Sequence, residues 1–320
     1  MTASTETPAV PLASARKVPN FFIVGHPKSG TTALYEMLRS HRQIYMPDLK
    51  ETLFFARELH PGLNPSGPHP DTLDEYLALF AGADEDQRAG EASPSYLRSR
   101  MAPARIAELE PNARIIAILR EPASFLRSMH LELLKDHVET EKDFRKAIAR
   151  EQQISHEKPV LWYSHERVEY AAQLRRYQEA FSPEQVLVLI YDDFRGDNDA
   201  TVQQVLRFLG VDESAPITAS EANKTVLVRS PRAYEAVRSL YLGRGATASV
   251  AKAAVKAVTP RRLRKRGLRT LRDTVLYASP PPPDDALMLE LRRGFKGEVE
   301  ALSDHLGRDL VSLWGYDRIE

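Results

Sequence analysis

The sequence predicts an α/β fold: a parallel β-sheet of P-loop type, flanked by helices on both faces, in a single domain with helical lid elements. Three observations predict it. Continuous apolar runs at Phe21–Val24, Ile115–Leu119 and Val186–Tyr191 read as buried strands. Stretches with helical spacing follow them, the alternation that builds βαβ units. The first run leads straight into "VGHPKSGTTAL", residues 24–34, a glycine turn between a strand and a helix.

Taken in order, residues 1–17 are rich in Thr, Ala, Ser and Pro and read as a disordered tail, which leaves 18–320 for the domain. Leu34, Met37 and Leu38 give 31–40 a helical stripe. Residues 60–71 are rich in proline and glycine and read as a loop. Pro122 stops the second strand, and a helix is expected over 124–134. Helical patterning returns over 166–181, and the third strand ends in Asp192–Asp193 before a helix near 199–209. Residues 244–285 form a basic, proline-rich insertion or lid. Within it, "TPRRLRKRGLRTLRD" fits a solvated amphipathic helix or mobile loop, or a basic lid for an anionic ligand, carrier or membrane surface, with peripheral contact through 261–272. "SPPPPDD", 279–285, reads as a spacer into a last helix over 287–306, with "GRDLVSLWGYD" packed at its end.

Composition narrows the function. The 320 residues are 42 % apolar, enough for a substantial core, and 44 cationic side chains balance 44 anionic ones. This balance names no polyanionic partner, and no nucleic acid is expected. The absence of cysteine excludes disulfides, thiol catalysis and thiolate metal sites. No segment has a signal-peptide core or the roughly 20 apolar residues of a membrane span, so the expected setting is cytoplasmic.

The turn at 25–30 has a physical meaning. A helix start offers free N–H groups and about half a positive charge from the helix dipole, which together form an anion site. Gly25 and Gly30 allow close approach, Pro27 restrains the turn, Thr31 and Thr32 add hydroxyls, and Lys28 brings a movable charge. A nucleoside-triphosphate loop reads G-x-x-x-x-G-K-[ST]. Here the glycine spacing fits, but Thr31 stands where that lysine belongs and Lys28 lies on the turn itself.

With that displacement, "PKSGTT" after an apolar strand resembles the 5′-phosphosulfate loop of sulfotransferases that use 3′-phosphoadenosine 5′-phosphosulfate (PAPS). "LREPASFLRSMH" resembles the family's second motif, and the resemblance implies that Arg120 and Ser128 hold the ribose 3′-phosphate. An arginine at a strand end and a serine on the next helix suit one phosphate, although Arg120 alone would also suit a surface ion pair. "LKETLFF" (49–55) and "GEASPSYL" (90–97) resemble segments of Golgi-type and bacterial members, and the likeness extends over roughly 18–316. Heparan-type members carry a lysine where this chain has Ala92, so the acceptor side is expected to differ from theirs. "NKTVLVRSPR", 223–232, resembles a later loop that closes over the nucleotide, in which Arg229 or Arg232 is either a phosphate contact or an ordinary surface arginine.

The resemblance implies PAPS as cosubstrate, 3′,5′-adenosine bisphosphate as product and no metal. Lys28 would neutralise charge on the leaving oxygen, and Ser29 would hold Lys28 off that oxygen until the acceptor arrives. Glu51 takes the place of the catalytic base, with a structural or substrate-positioning carboxylate as its alternative and His130 as a rival base. Phe54 and Phe55 either dehydrate Glu51 or belong to the core. The acceptor would be a hydroxyl or amine of a small molecule, lipid, sugar or carrier-bound substrate. A P-loop kinase, supported by the strand ending in Asp192, and an inactive nucleotide-binding protein are the competing readings.

Overall fold

A computed structural model describes residues 17–60, 69–154, 161–217 and 282–319, and the strand pairing of 227–228 with 277–278. Arg229, Arg232, the basic stretch 244–272 and residues 1–16 of the expected tail lie outside the described residues. The chain divides into two compact units, Met1–Leu119 with Ala172–Glu221 and Arg120–Ala171 with Ala222–Glu320.

In chain order, the first unit opens with β1 (Phe21–Gly25), α1 (Thr31–Arg39), β2 (Ile44–Tyr45), α2 (Leu73–Ala78), β3 (Arg88–Ala92), α3 (Ala102–Leu109) and β4 (Arg114–Leu119). The second unit contributes α4 (Pro122–Lys135) and α5 (Phe144–Gln153), and α6 (Tyr170–Ala180) leads back to the first. There the chain adds β5 (Val186–Ile190), α7 (Tyr191–Gly196) and α8 (Asn198–Leu209). The second unit ends with the antiparallel pair β6 (Leu227–Val228) and β7 (Tyr277–Ala278), then α9 (Asp285–Leu306) and α10 (Leu310–Leu313).

The sheet has the order β2-β3-β1-β4-β5, with every pair parallel, as the alternating pattern requires. β1 and, from Ile115 onward, β4 are fully buried, which is why both read as unbroken apolar runs. Phe21, Ile23, Ile116 and Ile118 share a core with Leu34, Met37 and Leu38 of α1 and Val205, Leu206 and Leu209 of α8. Each such side chain contributes about 1.5–3 kcal/mol when fully buried. The strand alternation turns Phe22, Ile115 and Ala117 to the opposite face, where Phe22 meets Phe55 edge-on at 6.0 Å. Parallel pairing brings the carboxyl ends of β1 and β3 to one edge of the sheet, the position where such folds place their ligands.

Several boundaries differ from expectation, each for a local reason. The third strand ends at Ile190, and Tyr191 already begins α7, whose first turn takes Asp192 and Asp193 at its electropositive end. The helix expected from residue 124 begins at Pro122, because proline suits the first helical position and the Glu121 carboxylate caps the amides of Ala123 and Ser124. Residues 165–167 make a separate 3₁₀ turn, and the helix expected from 166 starts at Tyr170. Asp284 and Asp285 belong to the start of α9 instead of the spacer, with the Asp284 side chain accepting from the Leu287 amide. In the second unit Glu121 also accepts from the Tyr316 hydroxyl at 2.6 Å, and Trp314 and Tyr316 are buried, as expected of that end of the chain.

Candidate active site

The first unit presents the glycine turn and the 49–55 loop at the ends of β1 and β3. At the turn, Lys28 (φ 61°) and Gly30 (φ 89°) are left-handed. Gly30 is the N-cap of α1 and, having no side chain, leaves the first-turn amides without a capping group. Thr72, Glu121, Asp143, Asp197, Asp284 and Asp309, by contrast, cap α2, α4, α5, α8, α9 and α10. No acidic residue lies in the first turn of α1, so its positive end is unopposed from within the helix. A Cβ at position 30 would also stand 2.9 Å from the Phe194 ring of α7, so glycine is required there twice over. Ser29 is fully buried and its hydroxyl donates to the Pro27 carbonyl at 3.3 Å, which ties the turn to itself. Thr31 is buried and Thr32 half-buried on the first turn.

Glu51 and Leu53 are left-handed as well, at φ 63° and 59°. Non-glycine residues in this region cost about 1–2 kcal/mol each and persist only where their surroundings hold them. Between them, Thr52 is fully buried. The Glu51 carboxylate is half-exposed and pairs with the Lys50 ammonium at 2.5 Å. Phe54 and Phe55 turn away into an aromatic cluster. Phe54 stacks on Tyr76 at 4.6 Å, and Phe55 meets Tyr76 at 5.1 Å and Tyr96 at 5.7 Å. These contacts give the pair a packing role, with Phe55 buried and Phe54 half-buried.

Sequence reasoning missed Glu91. It lies at the end of β3, is 1 % exposed, and accepts from Thr52 Oγ1 (2.6 Å), Ser93 Oγ (2.5 Å) and Tyr76 Oη (2.6 Å). Burial raises its pKa against the opposing effect of those hydroxyls. "GEASPSYL" was the available signal, but nothing local in it names Thr52 or Tyr76 as partners.

In the second unit Arg120 and Ser128 line one cavity of about 360 Å³ between α4 and α9. Arg127 and Arg292 line it too, and both were missed; Asp285 is the carboxylate in its wall. Burial first, and the Arg120 charge second, lower the pKa of Arg127, a sign of cations crowded where an anion would relieve them. Ser128 is 4 % exposed and its hydroxyl is buried without a hydrogen-bond partner among the described residues. A phosphate oxygen suits a buried hydroxyl of this kind. His130, two residues on, is 2 % exposed. Its Nδ1 meets the Tyr163 hydroxyl at 2.9 Å and its Nε2 the Lys142 carbonyl at 3.3 Å, while the ring stacks on Phe144. Both nitrogens are engaged, which packs His130 between α4 and the 142–163 segment. Asp192 and Asp193 are exposed on α7 and do not end a strand as a metal-binding aspartate of a P-loop kinase would.

The profile of the family described as "Sulfotransferase domain" matches residues 18–239, more than half of the chain. The chain belongs to the sulfotransferase family. Members of this family are transferases that draw on PAPS, which agrees with both motifs. Carbohydrate sulfotransferase 15 of Homo sapiens is 26 % identical over 270 residues, covering 68 % of this sulfotransferase and 47 % of the relative. Bifunctional heparan sulfate N-deacetylase/N-sulfotransferase 3 of Homo sapiens is 28 % identical over 211 residues, 61 % of this chain and 22 % of that one. The sulfotransferase thus spans about half or less of the length of these relatives. Among solved structures, a sulfotransferase from Alicyclobacillus acidocaldarius superposes with a TM-score of 0.64 at 27 % identity, covering 92 % of this chain and 98 % of that one.

Proposed function

We propose that this sulfotransferase moves the sulfuryl group of PAPS to a hydroxyl or amine, with Glu51 as general base and Lys28 at the leaving oxygen. PAPS supplies an activated sulfuryl group and a bisphosphate leaving group. The amides of the α1 start, with Thr31, Thr32 and the 27–30 turn, hold its 5′ end. Arg120 and Ser128 take the 3′-phosphate. The observation that carries the reading is the arginine-lined cavity into which Ser128 brings a buried hydroxyl that has no partner among the described residues and that a phosphate oxygen would satisfy. Lys28 lies on the turn, where its charge meets the charge that grows on the leaving oxygen. The half-exposed Glu51 carboxylate can receive the acceptor's proton and pass it to solvent.

The names of the relatives favour a sugar as acceptor. Ala92 is buried at the end of β3 and brings no cation to the acceptor side, which argues against a highly sulfated polymer. The test has two parts. Thermal shift should rank 3′,5′-adenosine bisphosphate far above ATP with magnesium; a ligand at 100 times its Kd adds about 2.7 kcal/mol. Transfer of label from PAPS to a panel of sugar, lipid and amine acceptors should then find a substrate. Preference for ATP with magnesium would overturn the reading.

A further inference from the structure

We propose that Glu91 is a positioning residue for the transfer: its buried carboxylate fixes Thr52 and the loop that presents Glu51. The inference rests on the assignment of Glu51 as base.

With Glu91 ionised, the hydrogen-bond directions at this site follow from the donors available. Glu91 Oε1 accepts from Thr52 Oγ1 and Ser93 Oγ, and Oε2 accepts from the Tyr76 hydroxyl. Thr52 has one proton and gives it to Glu91, so in its 3.0 Å contact with the Tyr96 hydroxyl Thr52 must accept. The Tyr96 oxygen in turn accepts from the Phe55 amide at 3.3 Å. Donation therefore runs from the Phe55 amide through Tyr96 and Thr52 into one carboxylate, an arrangement in which each bond polarises the next. The Phe54 amide reaches Thr52 Oγ1 and the Leu53 amide reaches Ser93 Oγ, each at 3.4 Å. Three successive loop amides are thus held on hydroxyls that donate to Glu91 directly or, for Tyr96, through Thr52. The Glu51 amide is tied to the same strand end through the Ala92 carbonyl at 3.0 Å. This clamp surrounds the two left-handed residues Glu51 and Leu53, whose conformation needs such support. No cation contacts the carboxylate among these bonds, so its partners are hydroxyls set by distant segments, a geometry suited to fixing one loop conformation.

The test uses the full chain. Thr52→Val keeps the shape and removes the link to Glu91. It should raise hydrogen exchange at the Leu53–Phe55 amides about tenfold or more. It should lower saturated turnover by about 10–100-fold, the usual cost of losing a supporting shell, and leave bisphosphate affinity unchanged. Glu91→Gln can still accept from Thr52 and Ser93 while its amide faces Tyr76, so it should stay near the parent, whereas Glu91→Met should follow Thr52→Val. Faster exchange with intact saturated turnover would reduce the clamp to a structural brace and overturn the proposal. So would unchanged exchange, or a bisphosphate affinity that falls in step with turnover. If the parent itself transfers nothing from PAPS, it is the functional reading that fails, and the exchange rates alone decide whether the clamp exists. Should Thr52→Val fail to fold, Tyr96→Phe, which removes the acceptor of the Phe55 amide, is scored on the same three readouts.

Discussion

At the scale of single residues, the proposed mechanism divides the charged groups into those that anchor and those that react. Lys28 is held left-handed on the turn, and its contribution should grow as the leaving oxygen gains charge. Lys28→Ala is therefore expected to depress turnover more than nucleotide affinity. Equal losses in both, with saturated turnover intact, would make it a ground-state anchor. Glu51→Gln keeps shape and removes the proton acceptor. It should lower saturated turnover by about 10²–10⁴-fold with bisphosphate binding nearly unchanged. A raised KM for the acceptor with saturated turnover preserved would make Glu51 an orienting group instead. Arg120→Ala should lose discrimination between 3′,5′-adenosine bisphosphate and 5′-AMP, read by calorimetry on both ligands. Lys28, Arg120 and Ser128 could be proposed from the sequence because each sits in a motif with local spacing. Arg127 and Arg292 were not, since their convergence depends on how α4 and α9 pack.

At the scale of elements, α1 shows how one missing side chain shapes a site. Gly30→Ala would place a methyl group 2.9 Å from Phe194 in a left-handed conformation. It should cost about 1–3 kcal/mol of stability in urea titration and weaken bisphosphate binding, because the turn must shift to accept it. A variant of parental stability and affinity would refute this account of the turn. β1, β4 and β5 were readable because sheet burial demands continuous apolar runs. β3, with sequence RAGEA, carried no such signal, since two of the three hydroxyls that satisfy its buried carboxylate lie 15 and 39 residues away. α2, α3 and α5 were also passed over, and Asp192–Asp193 suggested a strand end while suiting a helix start equally well.

At the scale of the whole molecule, two buried groups tilt stability in opposite directions with pH. Burial lowers the pKa of His130, so its contribution is full above about 6.5 and falls as pH drops through the folded value. Burial raises that of Glu91, so its contribution is full below about 4.3 and falls as pH rises through its folded value. Urea midpoints should show His130→Gln losing less stability than the parent between pH 7.5 and 5.5. Glu91→Gln should lose less than the parent as pH rises from 4.5. A constant offset at every pH would contradict both signs. The bare start of α1 has a practical corollary for the assay bench. Unshielded amides do not distinguish a nucleotide's anionic end from dissolved inorganic oxyanions. Phosphate or sulfate in the buffer should therefore act as a competitive inhibitor, and apparent nucleotide affinity in such buffers becomes a composite of binding and displacement. Titrating the buffer anion and extrapolating to zero concentration recovers the intrinsic constant.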